Sequence, residues 1–567
     1  MQYKWTVLAN TTMGGLMASI NATIILISLP PIFRGLNVDP TNPANFTLLL
    51  WVLLGYMVVT AALLITFGKI SDNYGRKKLY TTGFIIFALS AIALSFVPYG
   101  SGTIGVIMII ILRLVQGVGG GFIMVNSVAL LTDAFPDNER GKALGTNQVS
   151  FLAGSFIGLV VGGLLAPFDF HLIFVVNVPI AVIGAVWSHY KLRKERTARN
   201  NGRIDWRGNV VMSLGLVLIA LGFTYALVPY GSSSLGWGNP WVVASMVGGI
   251  AALVMFVPIE RKAKTPIFDL EIFKRVQFSF SSIALLLNSL ARGAVMFLVI
   301  IWLQGVYLPL HGFSIAQTPF WAGMYTIPLM VGFIALGPIS GMLTDRFGAR
   351  VFSTAGLLIT ALGLFLLSLF SADFSYSAFG AVLFLIGVGS GMFAAPNTKR
   401  AMDSLLWKER GVGNGIRTTF SNIGQMMSMA IFFTIAITIF TSLLPSVISS
   451  QTSALSVPYA LTSRLSAVPA SSFLFSAFLG INPITSFIAQ LNSTVQGQAL
   501  VAAIPPSSLS QLESDKFIPQ LISAPFMQGL RIALYIGVIL LLVAAALSAL
   551  TRHGTLKGAE IVMKYRS

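Results

Sequence analysis

Apolar residues in this chain gather into runs of roughly 20, the length a helix needs to cross a bilayer core of about 30 Å. Each run is closed by charge, glycine or proline. Fourteen are visible: Thr6 to Pro31, Leu48 to Ile70, Leu79 to Val97, Thr103 to Leu131, Ala143 to Ala166, Leu172 to Tyr190, Trp206 to Val228, Pro240 to Pro258, Phe278 to Leu303, Phe320 to Leu343, Val351 to Phe370, Ser377 to Met402, Val412 to Phe440 and Met527 to Leu550. They predict an all-α membrane protein with 14 transmembrane helices. The pattern lapses over residues 441–526, a stretch rich in Ser, Ala and Pro whose apolar run from Phe473 to Ile481 is too short to span. That stretch is expected outside the cell, as a partly helical cap, a loop, or an amphipathic extension of the last two helices that guides a lipophilic substrate.

Composition sharpens this picture. Of 567 residues, 55% are hydrophobic and 10% charged, against roughly 25% charged in a soluble domain, and the mean hydropathy is +0.82. A formal net charge of +18 would suit nucleic acid if the basic residues formed one soluble face. Instead they stand in short stretches between apolar runs, so nucleic acid is not an expected partner. One side of the predicted membrane carries Arg76, Lys77, Lys78, Arg140, Lys142, the run Lys191 to Arg207, Arg261 to Arg275, Arg346, Arg350, Lys399 to Arg410 and the tail from Arg552, while the other carries Arg34, Arg464 and Lys516. The positive-inside rule then places both termini in the cytoplasm of a multi-pass plasma-membrane protein. The amino terminus runs into the first span without a small-residue cleavage site and is expected to remain as a helix.

The chain has no cysteine, and its four histidines, His171, His189, His311 and His553, are far apart. Thiolate chemistry is excluded, no metal-ligand spacing appears, and no nucleophile with acid and base partners is visible. An enzyme is not expected, nor a cofactor, beyond a proton as coupling ion.

The sequence repeats itself. Gly68-Lys-Ile-Ser-Asp72-Asn-Tyr-Gly75-Arg76 returns as Gly341-Met-Leu-Thr-Asp345-Arg-Phe-Gly348-Ala-Arg350, with Asp72 and Asp345 273 positions apart. Glu139-Arg140-Gly141 returns as Glu409-Arg410-Gly411, and the glycines Gly117 to Gly121 as Gly387 to Gly391, both at an offset of 270. Both copies of each loop fall on the same side, so the halves are parallel repeats about an axis along the membrane normal. Spans one to six pair with nine to fourteen. The expected organisation is a six-helix bundle over residues 1–191, a two-helix insertion with its linkers over 192–276, and a second six-helix bundle over 277–567.

With these motifs the chain resembles the major facilitator superfamily, in particular its fourteen-helix drug/proton antiporter branch, over all but the long outer loop. The resemblance implies two six-helix bundles around a central cavity that work by alternating access. Gly68 to Lys78 is similar to the family signature G-x-L-x-D-x-x-G-R-K, with isoleucine at the leucine position. Gly68, Asp72, Gly75 and Arg76, with Gly341, Asp345, Gly348 and Arg350, are read as a conformational latch. Its glycines would let turn and helix ends approach closely, and its aspartates would meet a cation or a helix N-terminus in one state. Arg113-Leu-Val-Gln116-Gly117 is similar to the family's fourth-span motif, with Arg113 and Gly117 one turn apart on one face. Gly154, Gly158 and Gly162 resemble the fifth-span antiporter motif, although Leu159 stands where the family has proline, and are expected to form a small-residue packing seam, as is Gly117. Phe174-Val-Val-Asn177-Val-Pro179, Asp205-Trp206-Arg-Gly208 and Gly236-Trp237-Gly238 resemble the same branch.

The informative departure is in the first span, where Asn21 replaces the family aspartate. An amide cannot titrate or neutralise a cation. None of the 18 acidic residues falls in the middle third of a span, so any proton coupling would use end-of-helix carboxylates such as Asp72 or Asp133, or another route. Arg113 and Arg292 do lie within spans, where a guanidinium is costly and marks a functional site or a buried polar partner. Arg531, near the outer end of the last span, is expected to snorkel. Asn21, Arg113, Gln116, Asn126, Arg292, Trp302, Gln304, Tyr325 and Asn397 are the candidate cavity and coupling residues.

The expected function is secondary active export of a small lipophilic or amphiphilic compound, by a monomer among membrane lipids. A lipid, lipid-linked or organic-anion exporter is the alternative suggested by Asn21 and the membrane arginines. A receptor that kept the fold but lost transport is the remote one, disfavoured because the Asp72 and Arg113 motifs are intact.

Overall fold

The structure is a computed structural model that describes residues 2–38, 43–193, 206–226, 228, 230, 231, 233, 235–263, 266, 270–314, 317–405, 410–466, 473, 474, 482–492 and 495–550. The apolar runs become long helices because a chain in hydrocarbon must satisfy each backbone N–H and C=O internally. In order these are α1 (Tyr3–Leu36), α2 (Pro43–Tyr74), α3 (Arg76–Leu94), α4 (Gly102–Ala134), α5 (Asp137–Leu165), α6 (Leu172–Val175 and Asn177–Lys191), α7 (Trp206–Ala226) and α8 (Pro240–Lys262). After a short 3-10 turn at Leu270–Lys274 follow α9 (Val276–Leu310), α10 (Thr318–Tyr325 and Ile327–Phe347), α11 (Ala349–Ser368), α12 (Tyr376–Asp403), α13 (Arg410–Ala454) and α14 (Phe517–Leu550). Among the described residues thirteen helices are long and apolar enough to cross a membrane, and α2, with its apolar stretch Leu50–Leu64, completes fourteen rods.

The packing repeats as the sequence does. α1 lies against α4, α5 and α6, and α9 against α12, α13 and α14; α4 touches α2 and α3 as α12 touches α10 and α11; α3 meets α6 as α11 meets α14. Two six-helix bundles result. Even their polar ties correspond, since Thr81 and Ser188 join α3 to α6 through hydroxyls 2.9 Å apart, and Ser353 and Ser548 join α11 to α14 at 2.8 Å.

The bundles meet along two seams that the repeat exchanges, α2 with α13 and α5 with α10. The inserted pair covers the first of them: α7 packs on α8 and reaches both α2 and α13. It is clipped to α2 by the Thr66 hydroxyl donating to Asn209 Oδ1 at 3.0 Å and by Ser213 donating to the Ala62 carbonyl at 3.1 Å. On α13, Trp237 Nε1 donates to the Thr434 hydroxyl at 3.0 Å.

Residues 441–526 combine a partly helical cap with extensions of the last two helices. α13 continues to Ala454 and α14 begins at Phe517, ten residues before the apolar run at Met527, and the short helices Tyr459–Ser466, Pro483–Asn492, Val495–Ala502 and Pro506–Leu512 lie between them. At 1.5 Å per residue α13 is about 68 Å long, twice the hydrocarbon thickness, so its last turns stand clear of the bilayer. They hold the small helices through a shared apolar core, with Leu461, Leu465, Ile484, Leu512 and Phe517 all buried in continuity with the bundle core. The run Phe473 to Ile481 lies outside the described residues beyond Leu474.

Candidate functional site

The twin loops on the basic face have one backbone geometry. Gly75 joins α2 to α3 at φ +99°, and Gly348 joins α10 to α11 at φ +86°. These positive values, which cost an L-residue roughly 1–2 kcal/mol, are why glycine stands at both places. Close approach is not the reason: a Cβ on Gly75 would meet nothing, and on Gly68 or Gly341 would make ordinary contacts of 3.4 and 3.7 Å. Arg76 pairs with Asp133 at the end of α4, and Lys4 with Glu139 at the start of α5 at 2.6 Å. Asp72 and Asp345 stand near the ends of α2 and α10, but their side chains lie outside the described residues, and Arg350 is exposed.

The fifth-span glycines form a real seam. Cβ atoms on Gly154, Gly158 and Gly162 would come within 2.4, 2.6 and 2.8 Å of the carbonyl oxygens of Leu16, Ile20 and Ile24 on α1. Beside it, a Cβ on Gly163 would lie 2.6 Å from the Pro319 carbonyl of α10. α5 is thus held against its own bundle by one face and against the other bundle by the next. Gly117 seats similarly on α2, where its Cβ would lie 3.1 Å from the Tyr56 carbonyl.

Inside the bundles lie polar groups that other described residues do not satisfy. Arg113, 1% exposed, donates from Nε to the Val52 carbonyl at 3.0 Å and sits over the Tyr56 ring at 5.5 Å. Its Nη1, the Tyr56 hydroxyl and the whole side-chain amides of Asn21 and Gln116 lack a partner among the described residues. Asn10 and Gln304 are in the same condition, and so are Asn288 Oδ1 and Arg417 Nε. Each such group costs about 1–3 kcal/mol of lost hydration unless water or a substrate meets it. Asn10, Asn288 and Tyr56 were not singled out from sequence, because a buried amide or hydroxyl carries no local pattern; Arg417, inside the predicted span Val412 to Phe440, could have been found by the same rule that marks Arg113 and Arg292. Arg292, midway along α9, is partly buried. Among the described residues no carboxylate stands at mid-span: Asp133, Asp403 and Glu260 all sit within the last turn of their helices.

The other expected cavity residues also make contacts within the bundles. Asn126 donates to the Ser71 hydroxyl at 2.9 Å, tying α4 to α2, and Asn397 donates to the Ser281 carbonyl at 3.1 Å, tying α12 to α9. Trp302 is fully buried among Phe374 and Phe379. Gln304 lies in a π-helical turn, Leu303–Tyr307, of the kind often found at functional sites. Tyr325 meets Tyr376 with tilted rings whose centroids are 4.3 Å apart and lines, with Trp321, Pro328 and Phe384, an apolar groove of about 520 Å³ between α10 and α12. Arg531, half-buried on α14, donates to the Phe370 carbonyl just beyond the end of α11 at 3.3 Å, where a helix end favours a cation.

Known proteins share both this architecture and its sequence. The riboflavin transporter RibZ of Clostridioides difficile is 29% identical over 438 residues, covering 76% of this chain and 88% of RibZ. The tetracenomycin C resistance and export protein of Streptomyces glaucescens is 23% identical and covers 97% of this chain and 91% of its own. Multidrug resistance protein 3 of Bacillus subtilis is 26% identical over 76% of this chain and 79% of its own. Among solved structures, a bacterial homologue of the lysosomal transporter Spinster in its inward-facing form matches 97% of this chain and 96% of its own with a TM-score of 0.51 at 15% identity. The xylose transporter XylE, partially occluded and inward open, matches 76% and 91% with 0.52 at 14%. The profile of the Major Facilitator Superfamily matches residues 11–259 and again 207–429. With its repeated six-helix bundles, its twin loops and these matches, the chain is a secondary transporter that belongs to the Major Facilitator Superfamily.

Proposed function

We propose that this protein exports small amphiphilic compounds across the plasma membrane by alternating access, with the basic face and both termini in the cytoplasm. The observation that supports the reading is the polar interior: amides at Asn21, Gln116 and Gln304 that lack a partner among the described residues and guanidinium groups at Arg113 and Arg292, with the described carboxylates at helix ends or in turns. Such an interior hydrogen-bonds a neutral or anionic head group and offers no countercharge to a cation. The outward direction is supported by relatives named for antibiotic resistance and export. The seam between α5 and α10 is packed at the end away from the basic loops, through Gly163 on Pro319 and Gly323 on Leu159, which suits a state open toward the cytoplasm. The twin loops act as the latch between states, with Asp72 and Asp345 engaging across the basic face. Proton coupling, where present, runs through Asp133 and Asp72 at the ends of α4 and α2.

An anionic lipid or organic anion is the second reading, favoured by Arg292, a guanidinium midway along α9 with no carboxylate on its own helix. The test is transport in proteoliposomes with fluorescent amphiphiles of one tail and cationic, neutral or anionic heads, under an imposed pH gradient. The unmodified protein should move neutral or anionic probes, and Arg292→Gln should slow the anionic one selectively. Gradient-driven movement of the cationic probe alone would sink the reading of the interior, and no movement of any probe would sink the exporter.

A further inference from the structure

Opposite the basic loops, three chain segments converge. They are the end of α1 at Gly35, the turn between α3 and α4 at residues 97–100, and the turn between α5 and α6 at 169–171. The Gly100 N–H donates to the Gly35 carbonyl at 2.9 Å. The Phe170 ring fills the space over Gly35 so closely that a Cβ there would come within 2.5 Å of it. At the centre is His171, 9% exposed. Its Nδ1 lies 2.7 Å from Asp169 Oδ1 and its Nε2 lies 2.6 Å from the Val97 carbonyl.

A carboxylate and a carbonyl both accept. To meet both, each ring nitrogen must carry hydrogen, whereas a neutral imidazole has one N–H and leaves a lone pair facing oxygen. The additional proton belongs to the ring, because the same Asp169 oxygen already accepts the His171 backbone N–H at 2.8 Å and the carboxylate is bonded by the Tyr99 hydroxyl. Burial alone would raise the Asp169 carboxyl, but the Tyr99 hydroxyl and the His171 contacts outweigh it and hold it below the usual carboxylate range. The same bond pushes the Tyr99 hydroxyl up to about 12. The remaining charged neighbour in the described segments is Arg34 on α1, whose Nε donates to the Pro30 carbonyl of its own helix. Asp39 lies outside the described residues.

We propose that His171, with Asp169 and the Val97 carbonyl, is a proton-binding site of the outer face, and that its protonated form ties the turn after α3 to the turn after α5. α5 is the helix whose last turn seats Gly163 on α10, so the tie sets the helix end that closes the outer seam. The word "outer" rests on the orientation proposed above, while the site itself does not. A lower external pH therefore favours the closed outer end, and loss of the proton loosens it.

The absence of native cysteine lets a single introduced thiol report alone. Val97→Cys places it on a residue 1% exposed, and Phe96→Cys places a reference thiol on the same turn at a residue 78% exposed. Maleimide labelling of purified full-length protein is read as the ratio of the two rates, which divides out the ionisation common to both thiols, and His171→Arg controls for what burial adds. The ratio should rise at least about tenfold between about pH 5.5 and about pH 8.5. His171→Arg, a permanent cation with several donors, should keep it low at both, and His171→Gln should raise it already at the lower pH. A ratio that ignores pH, or a rise that persists in His171→Arg, overturns the site. Labelling of Phe96→Cys on intact cells by an impermeant maleimide checks the face separately: failure there overturns the orientation and leaves the proton site to be judged by the ratio.

Discussion

Two glycines of α5, nine positions apart, show how little residue type says about role. A Cβ at Gly145 meets nothing, while at Gly154 it would lie 2.4 Å from the backbone of α1. Gly145→Ala should therefore be neutral or stabilising by up to about 1 kcal/mol through helix propensity, whereas Gly154→Ala should cost about 1–3 kcal/mol through overpacking. Apparent melting of the detergent-solubilised variants compares them directly, and equal melting would refute the seam. Asp169 supplies a pH test at the same scale. Its carboxyl is depressed in the folded protein, so the stabilisation it contributes is present above the ordinary carboxylate range and is lost as pH falls through the lowered value. Asp169→Asn should flatten the acid limb of the melting curve, measured against pH. At this scale the glycine seam on α5 and the charged ends of the helices were legible in the sequence. The role of His171 was not, because its two acceptors come from its own turn and from Val97, 74 positions away.

Single elements owe their form to the surface they must cover. The fourteen rods were legible because hydrocarbon thickness sets a minimum length that any apolar run reveals. Their ends were less so: α13 and α14 overrun their apolar cores because the helices between them shield the protruding turns. Leu512, fully buried in that cap, tests whether it is a folded unit. Leu512→Ala should cost about 2–5 kcal/mol and expose residues 455–516 to limited proteolysis with the bundles left intact. Unchanged protection would show that the cap does not rest on its apolar core. The inserted pair α7 and α8 is legible as two spans, yet nothing local tells which seam it covers. That is settled by Thr66 meeting Asn209 and by Trp237 meeting Thr434, pairs 143 and 197 positions apart.

For the molecule as a whole, alternating access requires the packed end of the seam between α5 and α10 to open. A Cβ on Gly323 would lie 3.4 Å from the Cα of Val160, which leaves the two chains close enough for a disulfide. In a chain without other thiols, Val160→Cys combined with Gly323→Cys should lose transport on oxidation and regain it on reduction, with each single change insensitive to oxidant. Transport through the oxidised pair would mean that this contact does not move. By itself the sequence determined the membrane class, the number of spans, the parallel repeat, the family and an interior without mid-span carboxylate, since all of these are written in hydropathy, charge and spacing along the chain. Only the tertiary structure decided which helices press on which, which amides are left unsatisfied, where the insertion lies and how His171 is held, because those depend on contacts between residues far apart in sequence that no local pattern encodes.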